Sequence, residues 1–279
     1  MRLDGFVDAL ESRVSERIKA EQGDYIVDGL LHCHKCNTPK QTRVEILGVM
    51  RTPPCLCKCE VERREKEEAE RQAIEFRARV KRYRQNAFPE SNMEDWTFEN
   101  SDNENEKIMT AMRNYAANFD EFYKQGKGLI LFGPVGTGKT FAAACIANAV
   151  IDKGYPVLLT SFSRIADTVW GMGEGKQDYY DSFNRYPLLI LDDLAAERKT
   201  EYMQEIVFKV VDSRDRAGLP TIITTNLTAE QIKNPADLSY QRTFSRLLKM
   251  CLPVKVEGKD RRAEKLKNDY KPMADLLGL

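Results

Sequence analysis

Hydrophobic and polar positions along the chain change their rhythm several times. Leu3, Val7, Leu10, Val14 and Ile18 recur at three- and four-residue steps, which predicts an amphipathic helix. Its apolar face suits either packing within its own domain or a partner protein. Residues 60–85 are dense in charge, and Val61, Ala69, Ala73, Phe76, Val80 and Tyr83 give them only a narrow apolar stripe. That pattern predicts a long, mostly solvated helix joining two parts of the chain. Residues 86–105, rich in Asn, Pro, Ser and acids, read as a loop. Ile108, Met109, Met112 and Tyr115 then mark another helix, starting at Glu106.

From Gly128 the rhythm becomes strand–helix alternation and holds to about residue 256. Gly128–Phe132, Tyr155–Thr160, Pro187–Leu191 and Leu219–Thr225 are short apolar runs of the kind found in buried parallel strands. FAAACIANAVI after the first run and Phe162–Trp170 after the second read as helices. The fold class predicted is α/β with a parallel sheet. Residues 259–279 read as a basic helical tail, and no internal repeat is present.

Composition narrows the function classes. A 42% hydrophobic content permits a real core, and 31% charged residues imply much polar surface. Net charge is zero, so nucleic acid would have to be met by a local patch rather than a global field. No apolar run reaches membrane-span length, and MRLDGFVDALESRV lacks the unbroken apolar stretch of a signal peptide. A soluble, cytoplasmic protein is expected, in which the seven cysteines stay reduced or bind metal.

Five of those cysteines fall within residues 29–59: Cys33-His-Lys-Cys36, then Cys55-Leu-Cys57-Lys-Cys59. A C-x-x-C pair facing a second pair across such a gap is a structural zinc pattern. Four thiolates around Zn²⁺ would fold a segment too short for its own core. Cys33, Cys36, Cys57 and Cys59 are the favoured set, with Cys55 as alternative and His32 or His34 as substitutes. Lys35, Lys40, Arg43 and Arg51 would also let such a module touch nucleic acid, as would Arg77, Arg79, Lys81, Arg82 and Arg84 at the end of the charged helix. Cys145 and Cys251 lie in core-like stretches.

The strand Gly128–Phe132 leads into GPVGTGKT at 133–140 and then a helix. This is the context of a phosphate-binding loop. Gly133, Gly136 and Gly138 let the backbone wrap phosphate closely, with N–H groups of the loop facing the anion, and Pro134, Val135, Thr137 and Phe141 complete the candidate binding turn. Lys139 is expected to reach the β and γ phosphates, and Thr140 to place its hydroxyl on Mg²⁺. LLILDD ends a strand with two carboxylates: Asp192 to hold Mg²⁺ and Asp193 to orient and deprotonate water. Asn226 follows the last strand, where an amide would order that water.

GPVGTGKT, LLILDD, IITTN and a later Ser245-Arg246 together resemble the AAA+ ATPases, and within them the DnaC/DnaI-type loaders of replicative helicases, phage-encoded members especially. The likeness spans roughly 105–262 and extends loosely over the cysteine module. Transposition helper ATPases of the IstB type share the same motifs. The resemblance implies a sheet of order 5-1-4-3-2 with a small helical lid, and domains at 1–59 (helix and zinc module), 60–104 (charged linker and loop) and 105–279 (ATPase domain with basic tail). It implies that Asn226 is the sensor-1 residue. Arg246 would be an arginine finger acting on ATP held by a neighbouring subunit, with Arg242 a rival, and Arg262 rather than Arg261 would be sensor 2. Slow ATP hydrolysis used as a switch is implied by the Asp-Asp pair. The implied cofactors are ATP, Mg²⁺ and structural Zn²⁺. The implied partners are a DnaB-type helicase at the front module, single-stranded DNA and further copies of the chain, with no membrane. Arg164, Lys176 and Arg185 are candidate DNA contacts.

Overall fold

A computed structural model describes residues 20–46, 48–89, 92–101, 105–194, 200–235 and 237–261, with six positions beyond. The amphipathic segment Leu3–Ile18 and Arg262 lie outside the described residues. The chain divides into two compact units, one up to Phe76 and one from Arg77 onward.

The first unit has little regular structure. Two antiparallel hairpins, β1 (Tyr25–Val27) with β2 (Leu30–His32) and β3 (Val44–Ile46) with β4 (Val49–Arg51), consist of three-residue strands. Most of their side chains are exposed or half-buried, so they bury little apolar area of their own. Helix α1 (Lys58–Ala87) begins in this unit and continues into the next. Its exposed early turns are tied by Glu60 to Arg63 (2.7 Å) and Arg64 (2.8 Å), pairs three and four residues apart. Each such surface pair contributes only about 0.3–0.5 kcal/mol. Further on, the narrow stripe acquires a use: Val80 and Tyr83 pack against the core of the second unit, and Ala87 is fully buried there.

The second unit is a three-layer α/β/α arrangement. Helices α2 (Glu106–Ala117) and α3 (Phe119–Gln125) precede β5 (Gly128–Phe132). Then come α4 (Lys139–Asp152), β6 (Val157–Ser161), α5 (Phe162–Trp170), α6 (Lys176–Ser182), β7 (Leu188–Leu194) and α7 (Glu201–Ala217). The chain continues through β8 (Thr221–Thr225), α8 (Ala229–Lys233), α9 (Leu238–Met250) and β9 (Cys251–Lys255). The five strands are parallel, in the order β6-β7-β8-β5-β9.

Successive side chains of a strand point to opposite faces, so each apolar run feeds two cores. Leu129, Leu131, Leu188, Ile190 and Ile222 join α2 and α4 on one face. Ile130, Phe132, Leu189, Leu191 and Ile223 join α5, α7 and α9 on the other. Cys145 and Cys251 are both buried in these cores.

One buried group is not apolar. Arg214 of α7 is fully buried, and its guanidinium donates to the carbonyls of Phe183 (3.1 Å), Tyr186 (2.8 Å) and Pro220 (2.5 Å) and to Thr221 Oγ1 (3.1 Å). Burial lowers its pKa to about 9. It pins the segments that enter β7 and β8, at the strand ends opposite the phosphate loop.

Candidate functional site

Parallel α/β sheets place their sites at the carboxyl ends of the strands. Here the loops after β5, β7 and β8 meet around a cleft of about 440 Å³. That volume lies within the usual range for small-ligand sites. The phosphate-loop side contributes Val135, Gly136, Gly138, Lys139 and Thr140, and the neighbouring strands contribute Asp193 and Asn226.

The glycines at 133 and 136 are dictated by space. Gly133 has φ +149°, and a Cβ there would lie 2.2 Å from the Val256 carbonyl oxygen. Gly136 has φ +78°, and a Cβ there would lie 1.9 Å from Asp260 Oδ1. At 133 a side chain would have to move backbone, and at 136 it would have to displace the Asp260 carboxylate while holding a strained positive φ. Lys139 is buried, and its Nζ donates to the carbonyl oxygens of Gly133 (3.0 Å) and Pro134 (2.7 Å). Thr137 Oγ1 also donates to Pro134 O, at 2.9 Å. The ammonium is thus held against its own loop by neutral acceptors, which an anion can outcompete.

Thr140 and Asp192, both assigned to Mg²⁺ from sequence, lie together: Thr140 Oγ1 donates to Asp192 Oδ1 at 2.9 Å. Thr224 Oγ1 donates to the same oxygen at 2.6 Å. Burial raises the Asp192 pKa against the lowering effect of the Thr224 hydrogen bond, with the Asp193 charge adding to the rise. Two oxygen donors in contact, one on a carboxylate that burial leaves short of counter-charge, fit a hard divalent cation.

The two carboxylates have different surroundings because β7 bulges between them and β8. Leu191 pairs with Ile223 and Leu194 with Thr225, so three steps on β7 match two on β8. Asp193 takes up the extra residue in a left-handed conformation (φ +57°), with its N–H donated to Thr224 Oγ1 at 2.9 Å. Bulges re-aim side chains in this way. Asp192 stays half-buried, while Asp193 is exposed on the cleft.

The arginines separate. Arg261 lines the cleft, and its N–H donates to the Gly136 carbonyl at 3.1 Å. Arg246 lies outside the cleft lining, on α9, where Nη1 meets Asp212 Oδ1 (2.9 Å) and Asp215 Oδ2 (3.3 Å) of α7 and the guanidinium covers the Phe208 ring. Arg242 is exposed. Arg164 donates to the Pro89 carbonyl at 3.4 Å.

Two further residues of the cleft lining were missed by sequence reasoning. Trp96 and Asn100, from the polar stretch read only as a loop, line the cleft together with Phe141. The Trp96 and Phe141 rings lie 5.6 Å apart. The available signal was an aromatic-rich DWTF inside an otherwise polar segment.

In the first unit, Cys33, Cys36, Cys57 and Cys59 bring their sulfurs within 4.8 Å of one another. Cys33 and Cys57 are buried. The Cys33–Cys59 and Cys57–Cys59 sulfur separations are 3.6 and 3.5 Å. A zinc ion with Zn–S bonds of 2.3 Å needs tetrahedral edges of about 3.8 Å. The backbone supports the first pair: Asn37 N–H donates to Cys33 O and Cys33 N–H to Thr38 O, with Asn37 left-handed. The second pair straddles the start of α1, where helix N–H groups favour thiolate charge. The thiols do not ionise alike: the Thr38 hydroxyl holds Cys36 low, while hydrogen bonding with Cys57 and Cys36 pushes Cys59 up. Four sulfurs this close are compatible with a metal ion between them. Cys55 faces the Pro39 carbonyl instead, His34 pairs with Asp24 at 3.1 Å, and His32 Nδ1 lies 3.2 Å from Asn37 O. Lys40 is buried against Asp24 at 2.6 Å, which removes it from any nucleic-acid surface.

Known proteins match this arrangement. The replicative helicase loader DnaI of Bacillus subtilis (strain 168) is 28% identical over 170 residues, 54% of each chain. The replicative helicase loader DnaC of Escherichia coli (strain K12) is 28% identical over 140 residues, 49% of this chain and 57% of that protein. An ATP-binding protein in an insertion sequence of Mycobacterium tuberculosis (strain ATCC 25618 / H37Rv) is 32% identical over 167 residues, 58% of this chain and 63% of that protein. The chain thus spans between half and two thirds of the curated relatives it matches. No described helix is long and apolar enough to cross a membrane. The sequence profile described as IstB-like ATP binding protein matches residues 62–268, and the chain belongs to that family.

Proposed function

We propose that the protein is an ATP-dependent loader of a replicative DnaB-type helicase onto single-stranded DNA, with ATP hydrolysis serving as a switch. The observation that carries the reading is the combination of a phosphate-loop domain, similar to the DnaI and DnaC loaders, with a four-thiol module ahead of it. The module, folded around Zn²⁺, grips the helicase, while the second unit binds ATP and DNA and associates with further copies of itself.

Lys139, released from the Gly133 and Pro134 carbonyls, moves its charge onto the β and γ phosphates. Gly136 and Gly138 let backbone N–H groups approach the same anion. Thr140 and Asp192 hold Mg²⁺, which neutralises phosphate charge when bound. Asp193, on the exposed side of the bulge, takes the proton of the attacking water that Asn226 orients. Arg246 supplies its guanidinium to a neighbouring subunit's ATP, and the sensor-2 role falls to the Arg261-Arg262 pair, of which Arg261 lines the cleft. The basic groove for DNA draws on Arg164, Lys176 and Arg185.

A second reading is favoured by the family description and by the insertion-sequence relative: a transposition helper whose partners are a transposase and duplex DNA. The deciding experiment assembles helicase, protein and circular single-stranded DNA with ATP and scores helicase retained on the circle. Retention that requires the protein supports the loader. No retention, with transposase-dependent binding to duplex DNA instead, replaces it with the helper.

A further inference from the structure

Asn148 sits mid-way along α4, the helix that opens with Lys139 and Thr140, and only 1% of it is exposed. Around it the helix is alanine-rich and tightly packed. A core position of this kind ordinarily takes an apolar side chain, because a buried amide must find partners for every polar atom. Asn148 does not find them all: its Oδ1 has no hydrogen-bond partner among the described residues. Its Nδ2, by contrast, faces the Met93 carbonyl (2.9 Å), the Trp96 carbonyl (2.9 Å) and Ala144 O of its own helix (3.2 Å). The amide is therefore placed for its donors, and two of the three acceptors belong to one distant loop.

That loop lines the same cleft as the phosphate loop. Trp96 faces the cleft beside Phe141, and Asn100, tied to Asp95 O at 2.8 Å, follows on the same side. Phe98 anchors the loop in the core under the Arg113 guanidinium. Two aromatic rings and a carboxamide beside a phosphate-binding turn suit a planar heterocycle attached to phosphates. Asn148 touches none of that ligand. It fixes the backbone on either side of Asp95, and so fixes where the indole stands.

We propose that Asn148 is a positioning residue for the base-side wall of the nucleotide cleft, setting affinity for the purine ring through Trp96. The proposal rests on the reading of the phosphate loop as a nucleotide site. It makes a distinction that a structural role does not: the base contribution to binding depends on Asn148, and the phosphate contribution does not.

The full chain contains two tryptophans, so Trp170→Phe leaves Trp96 as the sole indole reporter. In that background ATP, GTP and inorganic tripolyphosphate are titrated into Asn148→Leu, and ATP and tripolyphosphate into Trp96→Ala by calorimetry. Asn148→Leu is expected to weaken ATP at least about tenfold, to change tripolyphosphate affinity by less than about twofold, and to narrow the ATP-to-GTP preference. Trp96 emission should shift to the red in the free protein. Trp96→Ala should reproduce the ATP loss without touching α4, and the double variant should be no weaker than either single one. Asn148→Ser carries the same comparison if the leucine variant does not fold. ATP and tripolyphosphate falling together, or ATP unaffected, overturns the proposal. A parent chain that binds neither ligand, indistinguishable from Lys139→Ala, removes the nucleotide reading itself and the proposal with it.

Discussion

The two units hold functional groups still by different means. The unit from Arg77 onward does it by burial: five strands feed two apolar cores, and the phosphate loop hangs on a scaffold that would persist without a ligand. The cysteine unit has three-residue strands, with Ile26, Val49 and Met50 more than half exposed. What converges in it is four sulfurs and the Asp24–Lys40 pair. A short segment with so little buried apolar area relies on a cross-link or a metal for its fold. The same side-chain chemistry follows this contrast: Cys145 and Cys251 are inert core residues whose thiols burial pushes up to about 12, whereas Cys33, Cys36, Cys57 and Cys59 crowd together in a way compatible with a metal ion.

Metal removal tests the contrast most severely. Chelation, or Cys33→Ser with Cys36→Ser, should unfold the first unit, since structural zinc sites contribute roughly 10–16 kcal/mol. Hydrogen exchange should show lost protection across residues 20–57 and unchanged protection in β5, β7 and β8. Equal protection in both units with and without metal would erase the distinction.

Within the second unit, function should separate from stability. Lys139→Ala should weaken ATP binding by at least about a hundredfold while the unit stays folded, because its ammonium supplies the charge that meets the phosphates. Arg246→Ala should lower turnover by about a thousandfold while leaving ATP affinity in place, if it serves the neighbouring subunit. Steady-state hydrolysis against protein concentration separates these two.

Arg214→Met should cost about 2–3 kcal/mol by leaving the carbonyls at the entry to β7 and β8 without donors, read as a lower midpoint in denaturant. A midpoint unchanged by that substitution would show that packing alone fixes those segments.

Asp192→Asn has the smallest effect on stability, and it runs the other way. Burial raises the Asp192 pKa above its unfolded value. Stability from that group is fully present below the unfolded pKa and lost as pH rises through the folded one, so at neutral pH the ionised carboxylate costs stability. The asparagine should raise the Tm of the nucleotide-free protein near pH 7, show no gain at pH 3, and abolish hydrolysis.

Local patterning carried much of this architecture. Gly128–Phe132, Leu188–Leu191 and Thr221–Thr225 are apolar runs whose two faces are both buried, so their composition announces buried parallel strands. The phosphate loop was legible because Gly133 is imposed by the Val256 backbone and Gly136 by its positive φ beside Asp260. Other features depend on contacts between distant residues and leave no local pattern. The bulge that turns Asp193 outward is a property of the register between β7 and β8, not of LLILDD. Trp96 lies in a stretch whose polar composition says loop, and its place in the cleft wall depends on Asn148, 52 residues later. Arg261 and Arg262 are identical in type and adjacent, so no local pattern announces that Arg261 lines the cleft, where its N–H donates to the Gly136 carbonyl. The pairing of Arg246 with Asp212 and Asp215 joins residues that the sequence keeps 31 or more positions apart.

The central claim is a division of labour, in which the cysteine unit grips a helicase and the phosphate-loop unit answers to ATP. It is tested most directly by the native mass of the full chain mixed with the replicative helicase of its source organism, with and without ATP. The account predicts a complex that survives Lys139→Ala and is lost on replacing Cys33 and Cys36. A complex that survives the cysteine replacements but needs Lys139, or no complex at micromolar concentration under any condition, would contradict it.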